Sequence, residues 1–357
     1  MSVHLSLTNF QLSLSFKLLI LVYTPIFMKK KKHVDAVTPW QRLVTLLHHE
    51  RSTINYIFIY AILIGLIGLT LPLGTTAVFN LLSNGAMYSS TYILIAVVLT
   101  GIVIGGVLLI AQLTLVEFLE QKIFTKAAME FAFRLPRIKK EEMLGEHPPE
   151  LVNRFFDVLT IQKGLTKLLV DIVAASVQIF FSAILLSFYH PVFMAVGLVA
   201  IISIVVVILL HYKQGTETSI NESGYKYELV AHLEDVAGDL DKYRGNPEMM
   251  DTIVKTTDEI NAKYLAARND HFSVLKNLFM SSVAIRTILM GGLLLLGSLF
   301  VVERQMTFGQ FVAAEVIIVQ ISYAVEKLLT NMNTVFDMVT GSEKLAVVTD
   351  MELEEAK

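Results

Sequence analysis

Apolar stretches long enough to cross a membrane alternate along the chain with two polar stretches. Residues 52–116 and 172–212 contain no Asp, Glu, Lys or Arg. Each has room for two crossings, because an α-helix needs about 20 apolar residues to span a bilayer. A third apolar region lies at 278–329. The pattern predicts an all-α membrane protein with six transmembrane helices. Their predicted spans are about 54–80, 91–116, 168–189, 191–212, 278–302 and 308–329.

Three residues in the first two spans predict local features of the helices. Pro72 is expected to kink the first span, because proline has no N–H and its ring clashes with the preceding turn. Gly101 and Gly105 are four residues apart in the second span and leave room for another helix to approach closely. This spacing predicts helix packing and no further function.

The polar residues 117–167, here called the first arm, continue the second span as a helix. The approach VEFLEQKIFTKAAMEFAFRL is rich in helix formers, with apolar residues at helical spacing. Pro136 interrupts this pattern. A new helix is predicted near Pro149 at its first turn, with Glu150 close to the positive end of the helix dipole. The first arm is therefore predicted to be a helical hairpin that extends away from the bilayer.

Residues 213–276, here called the second arm, repeat this plan. An outgoing helix continues towards Glu228, and a short crosspiece is predicted at 232–245. Asn246 and Pro247 then supply the N-cap and the first position of a long return helix. The two arms form an internal structural repeat.

An amphipathic helix is predicted before the first span, at 38–50. It places apolar Trp40, Leu43, Val44 and Leu47 on one face, as in helices that lie in the membrane interface.

The N-terminal extension, residues 1–35, admits two interpretations. Residues 15–27 are apolar but interrupted by Pro25, and the basic run 29–32 follows them, whereas a signal peptide has its basic residues first. Either translation starts at Met28 and the preceding residues are dispensable, or the segment dips into the membrane.

Basic residues predict the orientation of the chain. The N-terminal run, both arms and the C-terminal end carry nearly all Lys and Arg, whereas the three opposite turns contribute only Arg304. The positive-inside rule then places both arms and both termini in the cytoplasm, in a multi-pass protein of the plasma (inner) membrane.

The composition is typical of a membrane protein, and it argues against several kinds of functional site. Apolar residues make up 54% of the 357 residues and the mean hydropathy is +0.61, which is too apolar for a soluble domain of this size. The net charge of -3 gives no reason to expect a nucleic-acid partner. The sequence has no cysteine, and its nine histidines show no metal-ligand spacing, so we expect no metal site and no catalytic residue.

Charged residues inside the spans are candidate functional residues, because burying a charge in a membrane is costly. Counting 1.5 Å per residue from the turn near residue 305, Arg286 and Glu326 lie at similar depths. We predict a structural contact between them near the cytoplasmic interface. The alternative is that each side chain extends to the interface separately.

Glu315 lies at another depth and has no predicted partner. It shares one helical face with Ser322, Glu326, Thr330 and Asn333. Such a polar face packs against protein or water instead of lipid. Two interpretations stay open, a lining of the translocation pathway and polar contacts between helices.

The first arm carries a distinctive sequence at its end. In ELVNRFFDVLTIQKGLTKLL, residues 150–169, Glu150, Asn153, Arg154 and Asp157 precede an apolar helix.

The second arm carries LEDVAGDLDKYRG with Glu234, Asp235 and Gly238, and MTFGQFVA at 306–313 opens the sixth span. In this order, across six spans and behind an amphipathic elbow helix, these segments resemble the transmembrane domain of ABC exporters over residues 36–349. Their detail is nearest to exporters of peptides and proteins.

The resemblance implies a membrane-spanning exporter subunit that forms half of a pathway, in a dimer that is expected to be a homodimer within the membrane lipids. The ends of the arms would be coupling helices on a nucleotide-binding partner that holds ATP and Mg. The coupling residues implied by the resemblance are Glu150, Asn153, Arg154, Asp157, Glu234, Asp235 and Gly238. The charges best placed for that contact are Arg154, Asp157, Glu234 and Asp235. The alternative is that they form a solvated charged face.

The chain itself lacks the phosphate-binding motif GxxxxGK[ST], so it is expected to bind no nucleotide and to be no enzyme alone. Residues 350–357 correspond to a linker stub, and either a separate ATPase subunit docks or the gene is truncated. A rival function is a non-transporting scaffold or regulator derived from an exporter half. An ABC importer permease is disfavoured, because no docking loop of the importer type is found.

Overall fold

The computed structural model describes residues 39–48, 50–82, 89–143 and 148–354. Some of the predictions concern residues outside this part. They are the predictions for residues 1–35, including Met28, for residues 38 and 49 of the elbow, and for the last three residues of the stub. The described residues form twelve α-helices and no β-strand apart from one isolated bridge. The helices are α1 Pro39–His48, α2 Arg51–Gly68, α3 Thr70–Leu82, α4 Ser89–Arg134, α5 Pro148–Asn153, α6 Asp157–Thr166, α7 Val173–Ser187, α8 Pro191–Gly238, α9 Leu240–Tyr243, α10 Pro247–Val302, α11 Phe308–Thr330 and α12 Met332–Thr349.

Several of these helices join into longer segments. Short 3-10 turns at Leu135–Arg137 and Arg154–Phe156 and a π-helical turn at Lys167–Ile172 make the joins. Within the described residues, six segments are long and apolar enough to cross a membrane. They are Arg51–Leu82, Ser89–Arg137, Pro148–Ser187, Pro191–Gly238, Pro247–Val302 and Phe308–Thr349. The prediction of an all-α fold with six helices able to span a membrane is therefore confirmed for the described residues.

The first segment is interrupted where Pro72 predicts a kink. Helix α2 ends at Gly68, four residues before Pro72, and α3 begins at Thr70. Proline cannot donate to the carbonyl four residues earlier, and its ring clashes with that carbonyl. The N–H of Leu69 bonds instead to the carbonyl of Leu66 at 3.2 Å. The segment thus consists of two helices joined at Leu69.

Gly101 permits close packing of α4 on the first segment, as predicted. A Cβ at position 101 would lie 2.8 Å from Oγ1 of Thr70, closer than real side chains approach. At Gly105 the nearest atom would be Cγ2 of Ile67, at 3.7 Å. The two helices therefore approach most closely near Gly101.

The first arm has the predicted form. Helix α4 runs unbroken from Ser89 to Arg134 and continues about 27 Å beyond Val116, the predicted end of the second span. After the turn, α5 begins at Pro148.

The second arm differs from the prediction in its crosspiece. Helix α8 does not end near Glu228 but continues to Gly238, and the crosspiece is reduced to α9. The physical reason is local: no proline occurs between Glu228 and Gly238, and the residues LVAHLEDVA sustain a helix. Gly245 then adopts a positive φ of 75°, and the side chain of Asn246 accepts a hydrogen bond from the N–H of Met249 at 3.3 Å.

Helix α12 packs between the two arms and forms much of the core outside the spans. Phe336 on this helix is fully buried against Gly215 of α8, where a Cβ would lie 2.3 Å from the ring. Met338 contacts Gly164 of α6 in the same way. Because α12 continues the sixth segment beyond Asn331, both arms pack on an extension of the last span.

Candidate functional site

The ends of the two arms meet, so they lie at the same end of the molecule. The amide of Asn153 on α5 donates a hydrogen bond to the Glu234 carboxylate on α8. Both residues were predicted to contact a partner. In the structure their side chains connect the two arms to each other.

Arg154 is the buried centre of this contact region, here called the arm junction. Only 8% of the residue is exposed. Its Nη2 donates to Oε1 of Glu150 at 2.8 Å, and its guanidinium lies 5.3 Å from the ring centre of Tyr227 on α8. The alternative of a solvated charged face is therefore wrong for Arg154, which is occupied by contacts within the chain.

Asp157 completes the junction from the start of α6. Its carboxylate accepts a hydrogen bond from the Tyr227 hydroxyl, and the ammonium of Lys344 on α12 lies 5.3 Å from the same ring. Burial raises the pKa of Asp157, and the bond from Tyr227 partly offsets this. Burial and the neighbouring Asp157 charge raise the pKa of Tyr227 well above its usual range, while burial lowers the pKa of Lys344.

The exposed surface is largely apolar at the end of the first arm, whereas the second arm also exposes charged residues such as Asp241 and Lys242. On the first arm, Val152 and Phe156 are 50% and 60% exposed, on the side of the chain opposite buried Leu151 and Arg154. On the second arm, Leu240 is 49% exposed, and Asp235 and Gly238 are also exposed. Sequence reasoning selected the charged residues and missed Val152 and Phe156, although apolar residues at the end of a polar arm were the available signal.

The structure brings Arg286 and Glu326 together. Nη1 of Arg286 lies 3.2 Å from Oε2 of Glu326, and its guanidinium lies 5.1 Å from the ring centre of Tyr323. A second ion pair was missed: Nζ of Lys327 lies 2.8 Å from Oδ1 of Asp171. Both pairs connect the sixth span to another element near its C-terminal end.

Of the other predicted pathway residues, Ser322 is buried and Glu315 is half-buried. Glu315 makes no hydrogen bond or ion pair with any residue that the structure describes. Thr330 bonds its hydroxyl to the carbonyl of Glu326 at 2.8 Å, within its own helix. A pathway role for Glu315, Ser322 and Glu326 stays a prediction.

A crevice of about 480 Å³ with a mainly apolar lining lies elsewhere within the spans. Gln178 of α7 donates to Gln320 of α11 at 3.0 Å, and Tyr323, Lys327 and Thr70 also border the space. The sequence pattern does not single out these two neutral amides, because they carry no charge. Their contact places a pair of hydrogen-bonded amides in this mainly apolar lining.

A buried polar network connects the second arm to α12. His271 is 1% exposed, and its Nδ1 and Nε2 lie 2.9 Å from Thr218 Oγ1 and 3.2 Å from Asn333 Oδ1. The amide of Asn333 donates to Asp337 at 3.1 Å. Burial raises the pKa of Asp337, and nearby positive charge on His271 opposes that shift.

Within the described residues, no group of His, Asp and Glu has the geometry to hold a metal ion. No protein-family model matches the sequence, and comparison with curated proteins finds no match.

Proposed function

We propose that the chain is the membrane-spanning subunit of an ATP-driven ABC exporter. It would form half of a translocation pathway, with a second copy as the other half, and would couple to a nucleotide-binding subunit that holds ATP and Mg. The observation that carries the proposal is the pair of helical arms, joined at Arg154 and ending in crosspieces with exposed apolar residues.

The dimensions of the arms suit a lever. Helix α8 continues about 39 Å beyond Tyr212, the predicted end of the fourth span, and α10 begins about 46 Å before the predicted fifth span. Helices of this length transmit displacement because their packed cores move as rigid bodies. A force on the crosspieces would therefore reach the membrane.

The arm junction gives the route of that force. The first crosspiece, α5 with the turn Arg154–Phe156, is bound to α8 through Asn153 and Glu234. Helix α8 in turn lies against α12 through Tyr227 and Lys344. Helix α12 continues the sixth span. Closure of the partner on ATP would thus shift the sixth span together with both arms, and hydrolysis would restore the first state.

The partner surface is proposed to centre on Val152 and Phe156, with Asp235, Gly238 and Leu240 on the second arm. Exposed aromatic and aliphatic side chains make the main contribution to most protein interfaces when a partner buries them. The junction charges would act by holding this surface in place. The crevice around Gln178 and Gln320, whose lining is otherwise mainly apolar, is proposed to be part of the pathway.

Orientation is tested by labelling single cysteines, because the natural sequence has none. Val152→Cys and, as the control on the opposite side, Arg304→Cys are treated with a membrane-impermeant maleimide. In intact cells the maleimide should label only Arg304→Cys, and in inside-out vesicles it should label only Val152→Cys. Labelling of Val152→Cys in intact cells would overturn the proposal.

Coupling is tested by purifying the chain from its own host membranes and identifying copurified P-loop proteins. We expect such a protein, with ATPase activity that depends on this chain. Phe156→Asp should reduce the stimulation, whereas Met129→Asp, an equally drastic change at an exposed position of α4 outside the crosspieces, should preserve it. Copurification without any ATPase stimulation would favour the scaffold.

A further inference from the structure

His190 joins two turns at the end of the bundle opposite the arms. One turn connects α7 to α8, and the other connects α10 to α11. The His190 ring stacks on Phe300 near the end of α10, with ring centres 3.9 Å apart, and its Nε2 lies 3.1 Å from Oε1 of Gln305. Phe193 of α8 makes an edge contact with Phe300, with ring centres 5.8 Å apart. These contacts, here called the outer latch, hold the two helical hairpins together.

His190 is also the N-cap of α8. The next residue, Pro191, has no N–H, so the N–H of Val192 is the first donor of the helix. That N–H donates to Nδ1 of His190 at 3.2 Å. A backbone N–H can only donate, so Nδ1 must present a lone pair and carry no proton.

The other ring nitrogen carries the proton. The amide nitrogen of Gln305 donates to Oε2 of Glu303 at 2.8 Å, and a carboxylate can only accept. This bond turns the amide oxygen of Gln305 towards His190, so Nε2 of the ring must donate to it. The hydrogen bonds together therefore assign the neutral Nε2–H tautomer to His190.

A second proton on the ring is incompatible with this arrangement. An imidazolium has an N–H at both nitrogens, so Nδ1 and the N–H of Val192 would face each other as two donors. The N-terminus of a helix also carries positive partial charge, which repels a cation. The face of Phe300 can pack against either form of the ring, so the stacking does not restore the lost bond.

Few charged groups surround the outer latch. The two turns contain only Glu303 and Arg304, whereas α3, α7 and the part of α8 within the fourth span contain none. Tyr189 is the other titratable residue of the turns, and its hydroxyl contacts α3. On α10 and α11 the next charges are Arg286 and Glu315, about 21 Å and 15 Å further along their helices. Glu303 attracts an imidazolium and Arg304 repels it, and neither enables a protonated Nδ1 to accept a hydrogen bond.

We propose that the outer latch is acid-sensitive: it is closed while His190 is neutral, and it opens when a proton binds to Nδ1. Histidine is the side chain whose charge ordinarily changes between about pH 5 and 8. The positive-inside rule predicts that these turns lie on the outer face of the membrane, so the latch would respond to the external medium. Its opening would separate the outer ends of the third and fourth spans from those of the fifth and sixth. The proposal uses the predicted orientation of the chain and is independent of the exporter proposal.

The test measures the separation of the two turns by spin-label distances in the chain reconstituted in lipid nanodiscs. Because the natural sequence has no cysteine, labels attach only at Phe188→Cys and Val302→Cys, two exposed positions near the turns. Lowering the pH from 7.5 to 5.5 should raise the population of a longer distance by about fivefold, the equivalent of one N-cap bond. A mixture of the two single-label variants identifies any distance between chains.

Two variants locate the response. His190→Asn removes the titratable ring and keeps the cap, because an asparagine oxygen can accept from the N–H of Val192 at either pH. This variant should keep the short distance at both pH values. The matched control His211→Gln removes another half-buried histidine of α8, far from the turns, and should respond to acid like the natural chain.

A second measurement tests the tautomer directly. Nitrogen-15 NMR of the histidine-labelled chain at pH 7.5 should show a protonated Nε2 and an unprotonated Nδ1 for His190, whose signals are identified by their absence in His190→Asn. An Nδ1–H tautomer, an unchanged distance distribution in acid, or the same acid response in His190→Asn would each overturn the proposal.

Discussion

Tyr227 on α8 donates a hydrogen bond to Asp157 at the start of α6, and this bond joins the two arms of the chain. Because the acceptor is a half-buried carboxylate, removing the tyrosine hydroxyl leaves this acid without its main donor. Tyr227→Phe should therefore destabilise the protein by about 1–3 kcal/mol, measured as a lower thermal unfolding temperature in detergent.

The control for this change lies two residues earlier on the same helix. Tyr225 has no hydroxyl hydrogen bond within the described residues, so Tyr225→Phe should leave the unfolding temperature nearly unchanged. Equal effects of the two substitutions would show that the bond to Asp157 contributes nothing to stability.

Asp337 should give a pH-dependent effect. Burial raises its pKa, so in the folded state the ionised form is disfavoured and stability falls as pH rises through that pKa. Asp337→Asn should therefore raise the unfolding temperature at pH 7.5, and the gain should shrink as pH falls towards the ordinary range of an aspartate. His271, Lys226 and Arg268 attract the ionised form and limit the gain, while Glu222 repels it.

The matched control for Asp337 is an exposed acid. Asp258→Asn on α10 should change the unfolding temperature little at any of these pH values. A gain for Asp337→Asn that grows on acidification would contradict the direction of the pKa shift.

Substitution by alanine should have opposite effects on stability at two glycines of α8. A Cβ at Gly215 would lie 2.3 Å from the buried ring of Phe336, so Gly215→Ala should cost about 1–3 kcal/mol through overpacking. At Gly224 no atom lies within 4 Å of the added Cβ, so Gly224→Ala should stabilise the helix by up to about 1 kcal/mol. Thermal unfolding of both variants measures the contrast. Destabilisation by both would mean that Phe336 is not the cause.

The strength of the contact between Arg286 and Glu326 depends on its depth in the membrane. Both side chains are about half exposed, at 45% and 46%. In water such a pair is worth about 0.2–1 kcal/mol, and it is worth several times more where solvent is excluded. A double-mutant cycle with Arg286→Gln and Glu326→Gln should give a coupling energy of less than about 1 kcal/mol if the pair lies at the aqueous interface. A coupling above about 2 kcal/mol would place the pair in the hydrocarbon.

The spans were predictable because charge is absent over long stretches such as 52–116, and no other constraint of comparable strength acts on a membrane chain. The interruption near Pro72 was predictable for a similar reason, since proline acts on its own helix. The length of the crosspiece in the second arm was not predictable. Gly238 ends α8, and nothing in the local pattern distinguishes that glycine from Gly224, which lies within the same helix.

The contacts of Arg154 could not be predicted from its own segment. Its burial depends on Tyr227, which lies on the other arm and far away in sequence. The contact of Gln178 with Gln320 has the same origin, because the rotation of each helix decides which neutral amides face one another. By contrast, Arg286 and Glu326 could be matched, since helix rise alone compares the depths of residues joined by a short turn.

Because of the break at Leu69, the first span consists of two helical pieces joined by a hinge. Both pieces pack on α4, but α2 also packs on α7 through Gly65, where an added Cβ would meet Val177 at 2.4 Å, whereas α3 also packs on α11, where a Cβ at Gly309 would lie 2.4 Å from Oδ1 of Asn80. Each piece therefore has one neighbour that the other lacks. A displacement of α11 can change the inclination of α3 while α2 stays against α7.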